Sequence, residues 1–387
     1  MTKKVFYEDT KIVDFTGTVV ECTADDKKKG YWVVLDQTAF FPEEGGQSAD
    51  KGTLGGQEVL DVQIKNDIIS HLVKVPFEGG STIEGHVDYE RRFDFMQQHS
   101  GEHIISGLLH THYGFTNVGF HLSEREVTLD MDGVISLENL REIEAMANRI
   151  IWQNLPVYAT FPSKENLATM QYRSKIEIEG DVRIVEIPGV DTCACCAPHV
   201  ASTGEIGLLK VLKVQSHRGG VRITIACGGR ALKDYSSKID ICDEVGTKLS
   251  VPEERILTAL EKVQNDFATL KYTANELTGQ LLAEQVKSLP APSECANALL
   301  FVALNNNLAI RNTVNTLTES YPGYCGIFAG NEETGYTYII GSKEKDCREM
   351  AAILREKLSA KGGGTAPMIQ GNVTATKENI KNIFNAL

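Results

Sequence analysis

Residues 88–103 have the sequence DYERRFDFMQQHSGEH, and we predict a helix from about Arg92 to His110 that includes most of them. His99 and His103 are four residues apart, so on a helix they share one face and both imidazoles can reach one metal ion. Two histidines at this spacing also occur by chance. The pair therefore indicates a metal site only if further ligands are found elsewhere in the chain.

Further ligands occur in the segment Cys195-Cys196-Ala197-Pro198-His199. Cys195 lies four residues before His199, which repeats the spacing of the two helical histidines. Three imidazole nitrogens and one thiolate suit zinc better than magnesium or calcium. Cys193 and Cys196 remain alternatives to Cys195. On spacing, we predict a Zn²⁺ site formed by His99, His103, Cys195 and His199.

The helical pair also matches a different motif. His99, Glu102 and His103 have the order of the inverted zinc-protease motif, in which the glutamate is the general base. A protease would need another acidic ligand, and the helix predicted for residues 136–153 offers Glu142 and Glu144. The protease hypothesis gives the cysteine cluster no role. We therefore favour the zinc site formed by the three histidines and Cys195.

The chain around this helix alternates between β and α patterns, which predicts an α+β fold. Short β runs such as Tyr31–Leu35 and Glu58–Ile64 between glycine-rich turns indicate a small N-terminal β-barrel or sandwich over residues 1–90. After the predicted helices, strands return. A zinc-binding domain is expected over residues 91–240. The predicted strands are Arg183–Ile187, Gly207–Lys213 and Val221–Cys227.

A long helix follows between Pro252 and Pro290. Its apolar residues step by four and three, which is the pattern of a coiled coil, and we expect helix 252–289 to pair with a second copy in a homodimer or to fold back on a partner helix. The helical segment is placed at 245–290. The residues of the pattern are Ile256, Leu260, Val263, Phe267, Leu270, Ala274, Leu277 and Leu281.

Residues 291–387 form the last predicted domain, an α/β unit. Ala298–Leu304 and Tyr336–Ile340 are predicted strands, and Lys343–Ala360 is a predicted helix. Gly362, Gly363 and Gly364 come directly after that helix. These glycines either end the helix or let a backbone approach a phosphate.

The loop TAFFPEEGGQ, residues 38–47, is a further candidate site. Its glycine pair allows a sharp turn that presents Gln47 inward, and Thr38 offers a small hydroxyl. Most loops of this kind are ordinary hairpins, so this one gains meaning only beside other motifs.

Composition sets broad limits on partners and location. The 387 residues include 42% hydrophobic and 24% charged residues, and the net charge is −13. The polar N-terminus has no signal-peptide pattern, and no run reaches the roughly 20 apolar residues of a membrane span, so we expect a cytoplasmic protein with no membrane partner. The negative charge does not exclude nucleic acid, because a local basic patch is what attracts phosphate. The basic candidates are Lys210, Lys213, His217, Arg218, Arg222, Arg230 and residues 343–361.

Several of these motifs together resemble the editing region of alanyl-tRNA synthetases and of their free-standing relatives of the AlaX type. The matching segments are residues 38–50, 88–103 and 195–207, followed by Gly219–Arg222 and Gly228–Leu232. The tail, through Gly362–Gly364, is similar to the C-terminal DHHA1-type domain of the same synthetases. Because the N-terminal β region begins near residue 5, the resemblance is to a long-form free-standing editing protein. Glu44, Ser100, Glu102 and residues 196–198 depart from the usual family residues.

This resemblance implies a zinc-dependent deacylase that hydrolyses alanine tRNA mischarged with serine or glycine. Thr38 and Gln47 would then contact the aminoacyl group. The alternatives are an inactive tRNA-binding homologue, a zinc hydrolase of another ester or amide, and an editing enzyme for a different tRNA. The residues expected to bind tRNA are Lys210, Lys213, Arg218, Arg222, Arg230, Lys361, Gly362, Gly363 and Gly364.

Overall fold

The computed structural model describes residues 1–174 and 181–387. These residues form two compact units, Met1–Ile241 and Cys242–Leu387. The mixture of helices and sheets in both units confirms the α+β class. Among the described residues, none of the helices combines the length and apolar character that crossing a bilayer requires.

The first unit begins with a strongly bent seven-stranded sheet, in the order β6-β5-β9-β2-β3-β8-β7. The long strand β2 bends this sheet, since its first half pairs with β9 and its second half with β3. The described pairings do not join the end strands β6 and β7, so a closed barrel stays a prediction. The strands are β1 (Lys3–Lys4), β2 (Asp14–Asp25), β3 (Gly30–Leu35), β4 (Gln37–Thr38), β5 (Gly52–Leu54), β6 (Gln57–Glu58), β7 (Asp61–Lys65), β8 (Ile68–Val73) and β9 (Thr82–Val87).

The rest of the first unit packs two helices against a four-stranded sheet of order β10-β11-β16-β15, beside a three-stranded sheet of order β12-β13-β14. Leu108, Leu140 and Ile223 are among the residues of the core between them. The elements are α1 (Tyr89–Tyr113), β10 (Asn117–Leu122), β11 (Val127–Met131), α2 (Leu137–Trp152), β12 (Tyr158–Thr160), α3 (Lys164–Thr169), β13 (Ile184–Ile187), β14 (Asp191–Ala194), β15 (Leu209–His217), β16 (Gly220–Cys227) and α4 (Gly228–Leu249), which extends into the second unit.

The second unit is a five-stranded sheet of order β17-β18-β19-β21-β20 with helices on both faces. The core on one face includes Leu282 and Val314, and the core on the other includes Met350 and Phe384. The elements are α5 (Ile256–Val286), β17 (Ala298–Val302), α6 (Asn307–Thr318), β18 (Cys325–Asn331), β19 (Gly335–Gly341), α7 (Cys347–Leu358), β20 (Lys361–Thr365), β21 (Met368–Val373) and α8 (Lys377–Asn385).

The structure corrects two expectations for the second unit. Helix α7 starts at Cys347, because the Asp346 side chain accepts from the Arg348 N–H, and ends at Leu358, before Ser359 at φ 53°. The three glycines do not end this helix. Gly362–Gly364 lie in β20, an exposed strand that pairs with β21.

Candidate metal centre

Helix α1 carries the first two histidines of the site. The Asp88 side chain accepts from the Arg91 N–H, and Gly114 at φ 71° ends the helix. An aspartate cap and a left-handed glycine are the usual start and stop signals of a helix. His99 and His103 then lie on one face, with ring centroids 5.5 Å apart.

The segment after β14 brings the remaining two ligands to this face. Cys195 Sγ lies 3.5 Å from His99 Nε2 and 3.3 Å from His199 Nε2. The ring centroids of His103 and His199 are 4.7 Å apart. One ligand atom from each of the four residues lies within 4.8 Å of those of the other three. The structure thus brings together the four residues that the sequence separates into two motifs.

Each histidine of the cluster has a second partner on its Nδ1 atom. His99 Nδ1 donates to Gln47 Oε1 at 2.8 Å, and His103 Nδ1 donates to Asp191 Oδ2 at 2.9 Å. His199 Nδ1 is 3.0 Å from the hydroxyl Oγ of Ser100. Such outer hydrogen bonds set the tautomer and the ring orientation of metal-binding histidines. They leave all three Nε2 atoms for the centre of the cluster.

Asp191 is itself held in place by Arg173. Two nitrogens of the guanidinium donate to the two carboxylate oxygens at 2.7 and 2.8 Å. Burial opposes the charged carboxylate, but His103 and Arg173 lower the pKa of Asp191 below its usual value. Gly107 allows this arrangement, because a Cβ there would lie 2.6 Å from the Val190 carbonyl oxygen and 2.8 Å from Asp191 Cβ.

The pKa shifts in the cluster show which groups are ready to bind a metal ion. Burial lowers the pKa of His199 to about 3, so its imidazole is neutral. Burial opposes ionisation of Cys195, but His99 and His199 lower the pKa of its thiol well below the usual value. Burial opposes the charged form of His103, but Asp191 and Cys195 raise its pKa well above the usual value. Zinc binds to a thiolate and to neutral imidazoles, so binding of the metal would release the proton from His103. The donor set therefore fits a zinc ion.

The two other cysteines of the cluster occupy different surroundings. Cys193 groups with His103 and Asp191, whereas the Cys196 thiol lies next to Glu44 and Gly45. Burial raises the pKa of both thiols. Both thiols therefore stay protonated where the Cys195 thiol ionises, and this difference favours Cys195 as the sulfur ligand.

A cavity of about 780 Å³ opens beside the cluster. His99, His103 and Cys195 form part of its wall, and Glu44 and Phe120 also line it. A group held in this cavity would lie next to the cluster. The arrangement thus combines a possible metal centre with room for a small substrate group.

Two family profiles match parts of the chain. The profile described as threonyl and alanyl tRNA synthetase second additional domain matches residues 182–224, which include Cys195 and His199. The profile described as tRNA synthetases class II (A) matches residues 1–91.

Individual relatives match over longer regions. The alanyl-tRNA editing protein AlaX-L of Pyrococcus horikoshii is 28% identical over 412 residues, which cover 98% of this chain and 96% of that protein. The alanyl-tRNA editing protein Aarsd1 of Danio rerio is 27% identical over 389 residues, which cover 95% of this chain and 93% of that protein. The chain is a homologue of the alanyl-tRNA editing proteins.

This homologue of the editing proteins also matches part of the sequence of alanine–tRNA ligases. The ligase of Ignicoccus hospitalis is 31% identical over 303 residues, which cover 75% of this chain but 33% of the ligase. The chain thus spans about a third of that ligase and nearly the full length of the editing proteins named above.

Thr38 and Gln47, the two residues expected to contact the aminoacyl group, lie in the interior of the first unit. Both side chains are fully buried, and neither is among the described residues that line the cavity. Gln47 orients His99, as described above. The Thr38 hydroxyl lies 2.8 Å from His71 Nε2 and accepts from the Phe40 N–H. Direct contact of Thr38 or Gln47 with an aminoacyl group therefore stays a prediction.

His71, the buried partner of Thr38, leads to a prediction about the pH dependence of stability. His71 Nδ1 donates to the Val33 carbonyl at 3.0 Å, and burial lowers the pKa of His71 from 6.5 to about 4. The unfolded chain therefore binds a proton between pH 6.5 and 4 that the folded chain does not. We expect the contribution of His71 to the free energy of unfolding to be complete above pH 6.5. It should fall by about 3 kcal/mol as the pH drops to 4.

Urea unfolding of the wild type and of His71→Gln across this pH range tests the prediction. The difference in unfolding free energy between the two proteins should shrink as the pH falls, since the other titrating groups are common to both. A difference that stays constant from pH 7 to pH 4.5 would show that His71 does not titrate as proposed.

Glu102 and Glu144 both have structural partners. The Glu102 carboxylate accepts from the Ser106 hydroxyl at 2.6 Å and from the Asn117 amide. Glu144 accepts from Lys210 and from the Val211 N–H. These contacts do not favour a protease, in which the two carboxylates would serve as general base and metal ligand.

The predicted basic patch is largely paired within the first unit. Arg222 binds Asp130 and Arg230 binds Asp94, each at 2.6 Å, while Lys210 binds Glu144 at 2.5 Å. Lys213 and Arg218 are exposed on the hairpin of β15 and β16. In the second unit, Lys361 and the three glycines of β20 are exposed.

Proposed function

We propose that this protein hydrolyses the ester that joins serine or glycine to the terminal ribose of alanine tRNA. The observation that carries the proposal is the buried cluster of three histidines and Cys195, which opens onto a cavity. The names of the near full-length relatives support the reaction class and the tRNA.

Such a reaction is useful because a binding pocket discriminates poorly between amino acids of similar size. A pocket built for alanine cannot strongly exclude the smaller glycine, and it poorly rejects a side chain that adds one hydroxyl. A second site that removes the wrong amino acid supplies the missing specificity.

The residues of the cluster have distinct roles in this proposal. His99, His103, Cys195 and His199 hold Zn²⁺, while Gln47, Asp191 and Ser100 orient the three imidazoles. A bound zinc ion supplies Lewis-acid polarisation of a nearby carbonyl or lowers the pKa of a bound water. Four protein ligands are typical of a closed zinc site, so either role would require one ligand to leave or the coordination to expand.

The cavity supplies the remaining requirement, which is positioning. An aminoacyl ester is already activated, so holding the ester and a water molecule in a reactive geometry accounts for much of the rate. Glu44 lines the cavity and lies beside Cys196. Its carboxylate is suited to the positively charged α-amino group that every aminoacyl ester carries.

Contacts to the rest of the tRNA come from exposed basic residues. We assign Lys213 and Arg218 to phosphate contacts in the first unit, and Lys361 with Gly362–Gly364 in the second. Lys210, Arg222 and Arg230 form ion pairs with Glu144, Asp130 and Asp94, so we assign them no direct phosphate contact. Binding that depends on phosphate contacts weakens steeply with salt, and measuring the affinity at two salt concentrations tests the assignment.

The α5 helix supports a homodimer. Val263, Phe267 and Leu270 are exposed by 51%, 68% and 68%, so the predicted coiled-coil positions are uncovered along this part of the helix. Pairing with a second copy would cover them, and sedimentation of the full chain measures whether it occurs.

Deacylation of alanine tRNA charged with serine, glycine or alanine tests the function. We expect the purified protein to release serine or glycine and to spare alanine. If it cleaves none of the three while it binds the tRNA, the alternative of an inactive tRNA-binding homologue is correct. If it cleaves none of the charged tRNAs but hydrolyses other esters or amides, and Glu102→Gln abolishes that activity, it is another kind of zinc hydrolase.

A further inference from the structure

Two aromatic side chains lie at the wall of the cavity that the metal cluster shares. The ring centroids of Tyr7 and Phe161 are 5.5 Å apart with the ring planes at 67°, and both residues line the cavity. Phe161 is 52% exposed. An exposed phenylalanine beside a ligand cavity is a typical binding surface for an apolar or aromatic group.

Arg183 connects this aromatic pair to the segment that carries Cys195. Its guanidinium lies 4.9 Å from the centre of the Tyr7 ring. One of its terminal nitrogens donates to the carbonyl oxygens of Cys195 and Ala197, at 2.9 and 2.8 Å. The aromatic pair is therefore one side chain away from the backbone of the metal-binding segment.

Phe161, Tyr7 and Arg183 follow one another in space and carry the chemical groups that bind nucleobases. Aromatic rings offer faces for stacking, and a guanidinium adds a positive charge that attracts both π systems and phosphate. In the proposed substrate, the ester is attached to the ribose of the terminal nucleotide. When the ester lies at the cluster, the base of the same nucleotide must lie within the same cavity or at its mouth.

We propose that Phe161, packed at a steep angle against Tyr7, forms the platform on which the base of the 3′-terminal nucleotide stacks. This inference rests on the proposed function, and it specifies which end of the substrate the aromatic pair holds. Phe161 is thus a binding residue. Its role is to place the ester at the cluster, and it takes no part in the chemistry.

A matched control variant is available in the same unit. Tyr158 is 51% exposed, nearly the same fraction as Phe161, but it is not among the described residues that line the cavity. Tyr158→Ala therefore removes an equally exposed aromatic ring that lies outside the proposed site.

Steady-state kinetics on two substrates tests the platform. For seryl-charged alanine tRNA, Phe161→Ala should raise KM by about 10- to 100-fold with little change in kcat, as expected for the loss of one stacked base. Phe161→Trp should restore KM, and Tyr158→Ala should leave it unchanged. Serine methyl ester has no base, so all variants should cleave it at the wild-type rate. A wild-type KM for Phe161→Ala on the tRNA would overturn the proposal, and so would equal losses on both substrates.

Binding of the uncharged trinucleotide CCA separates this inference from the proposed function. Calorimetric titration does not depend on catalysis, so it remains informative if no ester is cleaved. We expect Phe161→Ala to weaken binding of CCA by at least about 10-fold relative to the wild type and to Tyr158→Ala. Equal affinities of the three proteins would overturn the platform even if deacylation is observed.

Discussion

Replacing Cys195 with alanine is expected to release the bound zinc and to lower deacylation by more than about 100-fold. Loss of an outer partner of a metal ligand already costs about 10- to 100-fold in affinity or activity, and Cys195 supplies the thiolate itself. Metal content by emission spectroscopy and single-turnover deacylation of seryl-charged tRNA measure the two effects.

Cys196→Ala is the matched control, because it removes the neighbouring thiol. Burial raises the pKa of Cys196, so this thiol stays protonated and its loss should leave the zinc content unchanged. If Cys196→Ala loses zinc and Cys195→Ala keeps it, the sulfur ligand has been assigned to the wrong cysteine.

Replacing Arg92 with methionine is expected to lower the free energy of unfolding of the first unit by about 3–5 kcal/mol. The Arg92 and Asp50 side chains are 0% and 1% exposed and form a buried ion pair. The same guanidinium donates to the Ala39 carbonyl at 2.6 Å. The variant leaves the Asp50 carboxylate buried without its counter-charge, which is the costly part of breaking such a pair.

Lys51→Met provides the control for Arg92→Met. Lys51 forms an ion pair with Glu124, and both side chains are about half exposed, at 52% and 54%. Solvent-exposed pairs contribute about 0–1 kcal/mol, so this variant should unfold close to the wild-type denaturant midpoint. A loss of less than about 1 kcal/mol in Arg92→Met would contradict the prediction. It would mean that other groups stabilise the buried Asp50 carboxylate.

The sequence predicted best the features that depend on local spacing. His99 and His103 share a face because a helix places residues four apart side by side, and the boundaries expected for α2 and β16 were within about one residue of those observed. The long α5 helix followed from its apolar repeat in the same way. Periodicity is a short-range property, so one sequence is enough to show it.

Contacts between distant segments could not be predicted in this way. The sequence places Gln47 in a glycine-rich turn, but its hydrogen bond to His99 spans 52 positions. Asp191 was not identified as the partner of His103, which is 88 positions away. Gly107 gave a usable signal, since a glycine inside a helical pattern often marks the close approach of another segment.

Charge was also a poor guide to the tRNA surface. Arg222 and Arg230 look like part of a basic patch in the sequence, but Asp130 and Asp94 neutralise them from other elements of the fold. A charge counts toward an electrostatic surface only with its neighbours in space, and these neighbours are not apparent from one sequence. Exposure on the hairpin leaves Lys213 and Arg218 as the stronger candidates.

The glycine-rich strand β20 has a consequence for solubility. It lies at the end of the strand order of its sheet, and unpaired edge strands are where β proteins aggregate by adding a strand from another molecule. Gly362, Gly363 and Gly364 have little preference for the extended state and present no side chains for such an added strand to pack on. Together with the charge of Lys361, they make this edge a poor template for self-association.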